Sequence, residues 1–233
     1  MKKIILSICI VLIAAMQVQA QNWDINTVKK VNGWKTHDMS RTFSHSGAIL
    51  PVGVPAAMGI YALIKKDQPL LKDAVYIGTT VIEALGVTYA LKYSIDRLRP
   101  YDKYPDRIHA IEKEDSPSFP SGHTAAAFSL ATSLSITYPK WYVIAPSALW
   151  ACGVGYARIN QGVHYPSDVL TGAVIGTGCA FLNIYVNRWL NKVLFELRNH
   201  SKSFLQFIKN FLKKSFIFLK KSCQVLQEEK RNH

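Results

Sequence analysis

The sequence predicts an all-α bundle of membrane-spanning helices, and three observations carry that prediction. Five apolar segments run through the chain, at about Gly47–Ile64, Ala74–Leu91, Thr124–Tyr138, Trp141–Ala157 and Val169–Val186, and the only charged side chain inside them is Glu83. Each is near the lower length limit for a membrane helix. Hydrophobic residues make up 49% of the 233 positions and charged residues 18%, below the roughly 25% of an ordinary soluble domain. Positive charge is also placed unevenly. Lys65, Lys66, Lys72, Lys140 and a basic tail fall on one side of the predicted crossings, and that side is expected to be cytoplasmic.

Residues 1–20 read as a secretory signal. Lys2 and Lys3 precede a short apolar run, Ile4–Met16, and Val18-Gln19-Ala20 carries small residues where cleavage would occur. The alternative is a retained first span. The bundle is therefore polytopic, with five spans after a signal peptide, or six if that segment is kept. Residues 21–46 are polar and mixed and read as a periplasmic N-terminal segment.

Gly, Ala, Ser and Thr recur in the five segments, as close helix packing in lipid favours. Their alternative reading is the core of a soluble all-helical domain. The domain carrying them is placed at residues 47–190. Residues 191–233 form a basic cytoplasmic tail. Between Arg188 and His233 there are eleven Lys/Arg against three Glu, a net of +8 out of +13 for the whole chain. Within it, Ser201–Val225 places Lys202, Lys209, Lys213, Lys214, Lys220 and Lys221 on one helical face. Phe204, Phe207, Ile208, Phe211, Leu212, Phe218 and Leu219 lie on the other. That pattern suits the plane of an anionic membrane surface, or a packing helix with a solvated face. No nucleic-acid signature accompanies the charge. Cys9, Cys152, Cys179 and Cys223 have no metal-ligand spacing, and no disulfide framework is expected from them.

Three polar stretches interrupt the apolar pattern on the other, outer side. The first ends the second segment: Lys92-Tyr-Ser-Ile-Asp-Arg-Leu-Arg99-Pro100. Lys92 and Arg99 are seven apart, about two helical turns, and can share a face; alone they could be interface anchors. Asp96 and Arg97 lie between them, most simply as an interface salt bridge. The second stretch is Ser118-Phe-Pro120-Ser121-Gly122-His123, followed by an Ala-rich helix. Ser121 suits the N-cap, and N–H groups at a helix start are a ready anion site. The third is Arg158-Ile-Asn-Gln-Gly-Val-His164-Tyr-Pro-Ser-Asp168. His164 and Asp168 are four apart, about one turn. A carboxylate there can fix one imidazole nitrogen and leave the other free to attack. Glu83 is read as paired with a neighbouring helix, because an isolated ionisable group in lipid is costly. His45 and Asn160 could border a site, or could be solvated.

Taken together, Lys-x6-Arg-Pro, then Pro-Ser-Gly-His, then Arg-x5-His-x3-Asp resemble the motifs of the type 2 phosphatidic acid phosphatase superfamily. Its members include lipid phosphate phosphatases, bacterial class A acid phosphatases and vanadium haloperoxidases. The motif span covers about a third of the chain. The resemblance implies a phosphatase acting on a lipid phosphate monoester or pyrophosphate, with no metal and no cofactor. It implies His164 as the nucleophile, Asp168 as its orienting carboxylate, and His123 as acid and then base. Lys92, Arg99, Arg158, Ser121 and the Gly122 N–H would hold the phosphate. One departure is visible: Ala157 stands where the family usually has Ser, so one phosphate-facing hydroxyl is in doubt. The expected partners are a phosphorylated lipid and the bacterial inner membrane, with the site facing the periplasm. The rival readings are a soluble periplasmic acid phosphatase, a vanadium haloperoxidase and a non-catalytic membrane protein.

Overall fold

The structure, a computed structural model, describes residues 23–188. The predicted signal (1–20) and basic tail (191–233) lie outside the described residues. Backbone contacts group the chain into Met1–Ile184 and Tyr185–His233, and only the end of the last helix is described in the second unit. All the regular structure among the described residues is helical.

Helix α1 spans 23–32, α2 spans His37–Lys65, α3 Gln68–Ile95, α4 Pro100–Lys103, α5 Gly122–Thr137, α6 Trp141–Asn160 and α7 Pro166–Arg188. Local chemistry explains several of these limits. Asp67 caps α3 by accepting from Leu70 N at 3.1 Å. Asp96 stops α3 in a left-handed conformation (φ 48°), its N–H on Lys92 O. Pro166 starts α7, where a missing N–H costs nothing.

The segment at 21–46, read from sequence only as polar and mixed, has regular structure of its own. It is helical over 23–32, and α2 starts ten residues before the apolar run at Gly47. Buried contacts, not hydropathy, fix this part. Asn160 donates to Val31 O at 2.7 Å and accepts from Ser40 Oγ at 2.7 Å, so it locks α1 and α2 to the end of α6. Asn160 is thus a structural clamp.

α5 lies in the centre, packed against α2, α3 and α6. Its buried face is mostly small, with Thr124, Ala125, Ala126, Ala127, Ser129, Ala131 and Ser133 beside one large side chain, Leu130. α7 approaches α5 more closely than a side chain would allow. A Cβ on Gly176 would stand 2.3 Å from Ala125 O, and one on Gly172 would stand 2.6 Å from Ser121 O. Gly176→Ala should therefore force the helices apart and destabilise the protein by about 1–3 kcal/mol, measured as a lowered unfolding midpoint in detergent. Gly178, with nothing within 4 Å of an added Cβ, should tolerate the same change.

α2, α3 and α7 are long and apolar enough to cross a membrane. Their outer faces expose Ile49, Val52, Ile60, Leu63, Val75, Ile82, Val174 and Phe181, an apolar surface that a lipid environment satisfies. At 16 residues, α5 falls short of the about 20 that a full crossing needs. Glu83, read from sequence as paired, has a buried Oε2 with no hydrogen-bond partner.

The helices run so that the three motifs share one end. Tyr138 Oη donates to Asp73 Oδ2 at 3.0 Å, joining the start of α3 to the end of α5 at the opposite end. At the motif end, Ile111 N donates to Gln161 O, Ser118 N to Arg97 O and Ser121 N to Asp168 O.

Candidate active site

The site forms where the α3–α5 connection meets the α6–α7 turn. That turn needs Gly162, whose φ is +72° and whose Cβ would meet Ile108 Cγ2 at 2.8 Å. The tight reversal brings the His164 N–H back onto Arg158 O at 3.3 Å, so the imidazole and the cation are fixed to each other through the backbone. His164 is 1% exposed. Its Nδ1 lies 3.6 Å from Asp168 Oδ2 and its Nε2 lies 3.4 Å from Arg99 Nη1. One ring nitrogen thus faces a carboxylate and the other faces the cations.

The sequence reading has Asp168 accepting directly from the imidazole. In the structure 3.6 Å is too long for a hydrogen bond, and Nδ1 has no hydrogen-bond partner. Asp168 is instead held by other donors. Oδ2 accepts from Ser118 Oγ at 2.6 Å and from Tyr165 N at 2.9 Å, while Oδ1 accepts from Arg97 Nη1 at 2.5 Å. Arg97 also donates to Asp24 Oδ2 at 2.9 Å and lies 3.9 Å over the Tyr165 ring. The salt bridge expected for Arg97 at the membrane interface is therefore an internal one, and it anchors Asp168. Asp24, 1% exposed on α1, accepts from the Ser167 N–H at 3.0 Å.

The cations converge as the motif spacing predicts. Arg99 is fixed by Ser116 O at 2.7 Å and Val163 O at 2.9 Å. Arg158 Nη1 donates to Ser44 Oγ at 2.7 Å and to Gln161 Oε1 at 3.0 Å, and its buried Nε has no partner. Lys92, 3% exposed, donates to Pro117 O. Three cations sharing one pocket repel each other, so the arrangement suits an anion. Ala157 brings no hydroxyl to this pocket, and the hydroxyl that meets Arg158 is that of Ser44, from α2.

Ser121 is the N-cap residue of α5 but makes no side-chain cap; its Oγ lies 2.9 Å from Thr124 Oγ1. Gly122 and His123 open the helix, where first-turn N–H groups have no intrahelical acceptor. Burial, together with the Arg158, Arg99 and Lys92 charges and opposed by Glu114, lowers His123 to about 4. His45 stands apart, exposed and 3.7 Å from Glu112.

Sequence reasoning missed Glu114. Its Oε2 accepts from Arg99 Nη2 at 2.6 Å and its Oε1 accepts from Arg158 Nη2. Burial alone would push its carboxyl up. The Arg158 guanidinium first, with Arg99 beside it, outweighs that and holds it down to about 2. Burial, with Arg158, Arg99 and Lys92, pushes His164 well below the ordinary imidazole range. His164 is thus neutral at pH 7, with a lone pair available.

The sequence model of the PAP2 superfamily matches residues 73–192, just over half the chain. The chain belongs to the PAP2 superfamily. Among solved structures, this PAP2 chain resembles Aquifex aeolicus LpxE at 29% identity and a TM-score of 0.53, over 70% of this chain and 95% of that one. It also resembles the first transmembrane PAP2 type phosphatidylglycerolphosphate phosphatase from Bacillus subtilis, at 26% identity and a TM-score of 0.58 over 77% and 92%. An undecaprenyl-diphosphatase of Sulfolobus acidocaldarius is 32% identical over 47% of this chain and 55% of that protein. A lipid A 1-phosphatase of Porphyromonas gingivalis is 34% identical over 48% of this chain and 22% of that protein. The chain thus matches about half or less of the length of these curated relatives.

Proposed function

We propose that this PAP2 protein is a membrane phosphatase that removes phosphate from a lipid monoester or pyrophosphate through a phosphohistidine on His164. The observation that carries the reading is the placement of the neutral His164 ring between Asp168 and the Arg99–Arg158–Lys92 cluster. His164 Nε2 attacks phosphorus as the bond from phosphorus to the leaving oxygen breaks, and His123, charged once the negative phosphate offsets the surrounding cations, gives its proton to the departing oxygen. Water then attacks the phosphohistidine, with His123 taking its proton, and phosphate leaves. Charge in such a transfer spreads over the equatorial oxygens, so fixed cations and the α5 N–H groups supply most of the stabilisation. The protein cations take this role without a metal.

The names of the relatives support a lipid substrate such as undecaprenyl pyrophosphate, phosphatidylglycerophosphate or lipid A, and the motif resemblance adds phosphatidic acid. The apolar outer faces of α2, α3 and α7 favour this over a soluble periplasmic phosphatase. The positive-inside rule assigns Lys65, Lys66 and Lys140 to the cytoplasmic side, and this supports a site on the periplasmic face of the inner membrane. Phosphate release from a panel of these lipids in detergent tests the reading. At least one should be hydrolysed at an unchanged rate after exhaustive EDTA treatment, and vanadate should inhibit. Loss of activity in EDTA that Mg2+ restores would contradict it.

His123→Ala should slow turnover on lipid phosphates by about 10²–10⁴-fold. The loss should shrink on an aryl phosphate, whose leaving group needs no proton. Equal losses on both substrates would remove His123 from the acid role.

A further inference from the structure

Glu114 stands where the proposed reaction needs a phosphate group. The Glu112–Asp115 run has the composition of a solvated loop, yet the Glu114 carboxylate points inward and bridges Arg99 and Arg158. The pairing is two-sided, one oxygen on each guanidinium, as a phosphate would be held. It occupies both Nη2 donors and leaves the buried Arg158 Nε without a partner. Arg99 Nε and Nη1 are committed to Ser116 O and Val163 O, and Arg158 Nη1 to Ser44 and Gln161. A phosphate cannot take the Nη2 atoms while the carboxylate keeps them, and like charges at that separation repel.

The backbone of Glu114 is pinned. Tyr101 Oη donates to Glu114 O at 2.9 Å and accepts from Glu114 N at 3.2 Å. Glu112 in the same loop lies 3.9 Å from Arg41 Nε on α2. The side chain itself is 27% exposed, so it has a route to solvent by rotation about its own bonds with the loop in place.

We propose that Glu114 is an internal competitor for the phosphate subsite, holding the Arg99–Arg158 fork in the resting protein and swinging out when a phosphate group enters. This rests on the phosphatase reading above. The competition scales affinity for free phosphate by the fraction of time the fork is open. It thereby favours product release and selects ligands whose lipid part adds binding energy. Glu114 is a specificity-determining residue on this account.

The test is a calorimetric titration of the purified full chain in detergent with inorganic phosphate, which needs no turnover. Glu114→Gln should bind phosphate on the order of tenfold more tightly than the parent protein. Glu112→Gln, the same charge change in the same loop, should match the parent. Should Glu114→Gln fail to fold around two buried guanidiniums, Glu114→Asp carries the test. It keeps the charge but is one methylene too short to span both guanidiniums, and should also bind phosphate more tightly. Equal or weaker phosphate binding by the folded Glu114 variant would overturn the proposal alone. So would equal tightening in Glu112→Gln, which would mark a general charge effect. No phosphate binding by any of the proteins would overturn the phosphatase reading and the proposal with it.

Discussion

Replacing His164 with alanine should abolish turnover, with a loss of about 10⁴-fold or more, while the protein still folds. The size follows from the absence of a substitute. His164 Nε2 is the ring nitrogen turned to the cations, and His123 lies on α5 in the role of proton carrier. Folding should survive because the truncation removes a neutral ring, not a member of the Arg97–Asp168–Asp24 network. The measurement is phosphate release per unit of monodisperse protein. Retention of more than a few per cent of activity would remove His164 from the nucleophile's role.

Asp168→Asn should cost nearly as much, on the order of 10³–10⁴-fold in turnover, the loss expected when an orienting carboxylate is made an amide. Asp168 is 0% exposed, and its two oxygens accept from Arg97, Ser118 and Tyr165. An amide nitrogen placed at Oδ2 would face the Ser118 hydroxyl, the Tyr165 N–H and His164 Nδ1. An amide nitrogen placed at Oδ1 would face Arg97 instead. Either way the imidazole loses the charge that stabilises its cationic form. Arg97 keeps Asp24, which limits the cost to folding below the roughly 3–5 kcal/mol of a fully broken buried pair. The check is a split readout. Turnover should collapse while phosphate affinity, set by Lys92, Arg99 and Arg158, changes little. Equal loss of phosphate affinity would mean that Asp168 acts by holding the pocket together.

Much of this was legible in the residues. The five apolar segments match α2, α3, α5, α6 and α7, because a sustained apolar run is a local property of sequence. Lys92, Arg99, His123, Arg158, His164 and Asp168 come to one end of the bundle, as the motif spacing implies. Three things were hidden. The polar stretch before Gly47 is helical because Asn160 and Ser40 pair across more than a hundred residues, and no local period announces such a contact. Arg97 reads as a surface cation because its partners, Asp24 and Asp168, lie far off in the chain. Glu114 reads as solvated because its neighbours Lys113 and Asp115 are charged. Only the fold brings Arg99 and Arg158 around it. In each case the missing information is a long-range polar contact, which composition and periodicity do not encode.

The central claim is a covalent phosphohistidine on His164, and trapping it tests that claim most directly. The purified protein would be mixed with a hydrolysed lipid carrying ³²P in its phosphate, quenched in alkali within a turnover, and digested. The account predicts a label that is stable to alkali and lost in acid. It should reside on the peptide containing His164, chase out with unlabelled substrate, and be absent from His164→Ala. Label on another residue, or full-rate turnover with no labelled protein at any quench time, would contradict it.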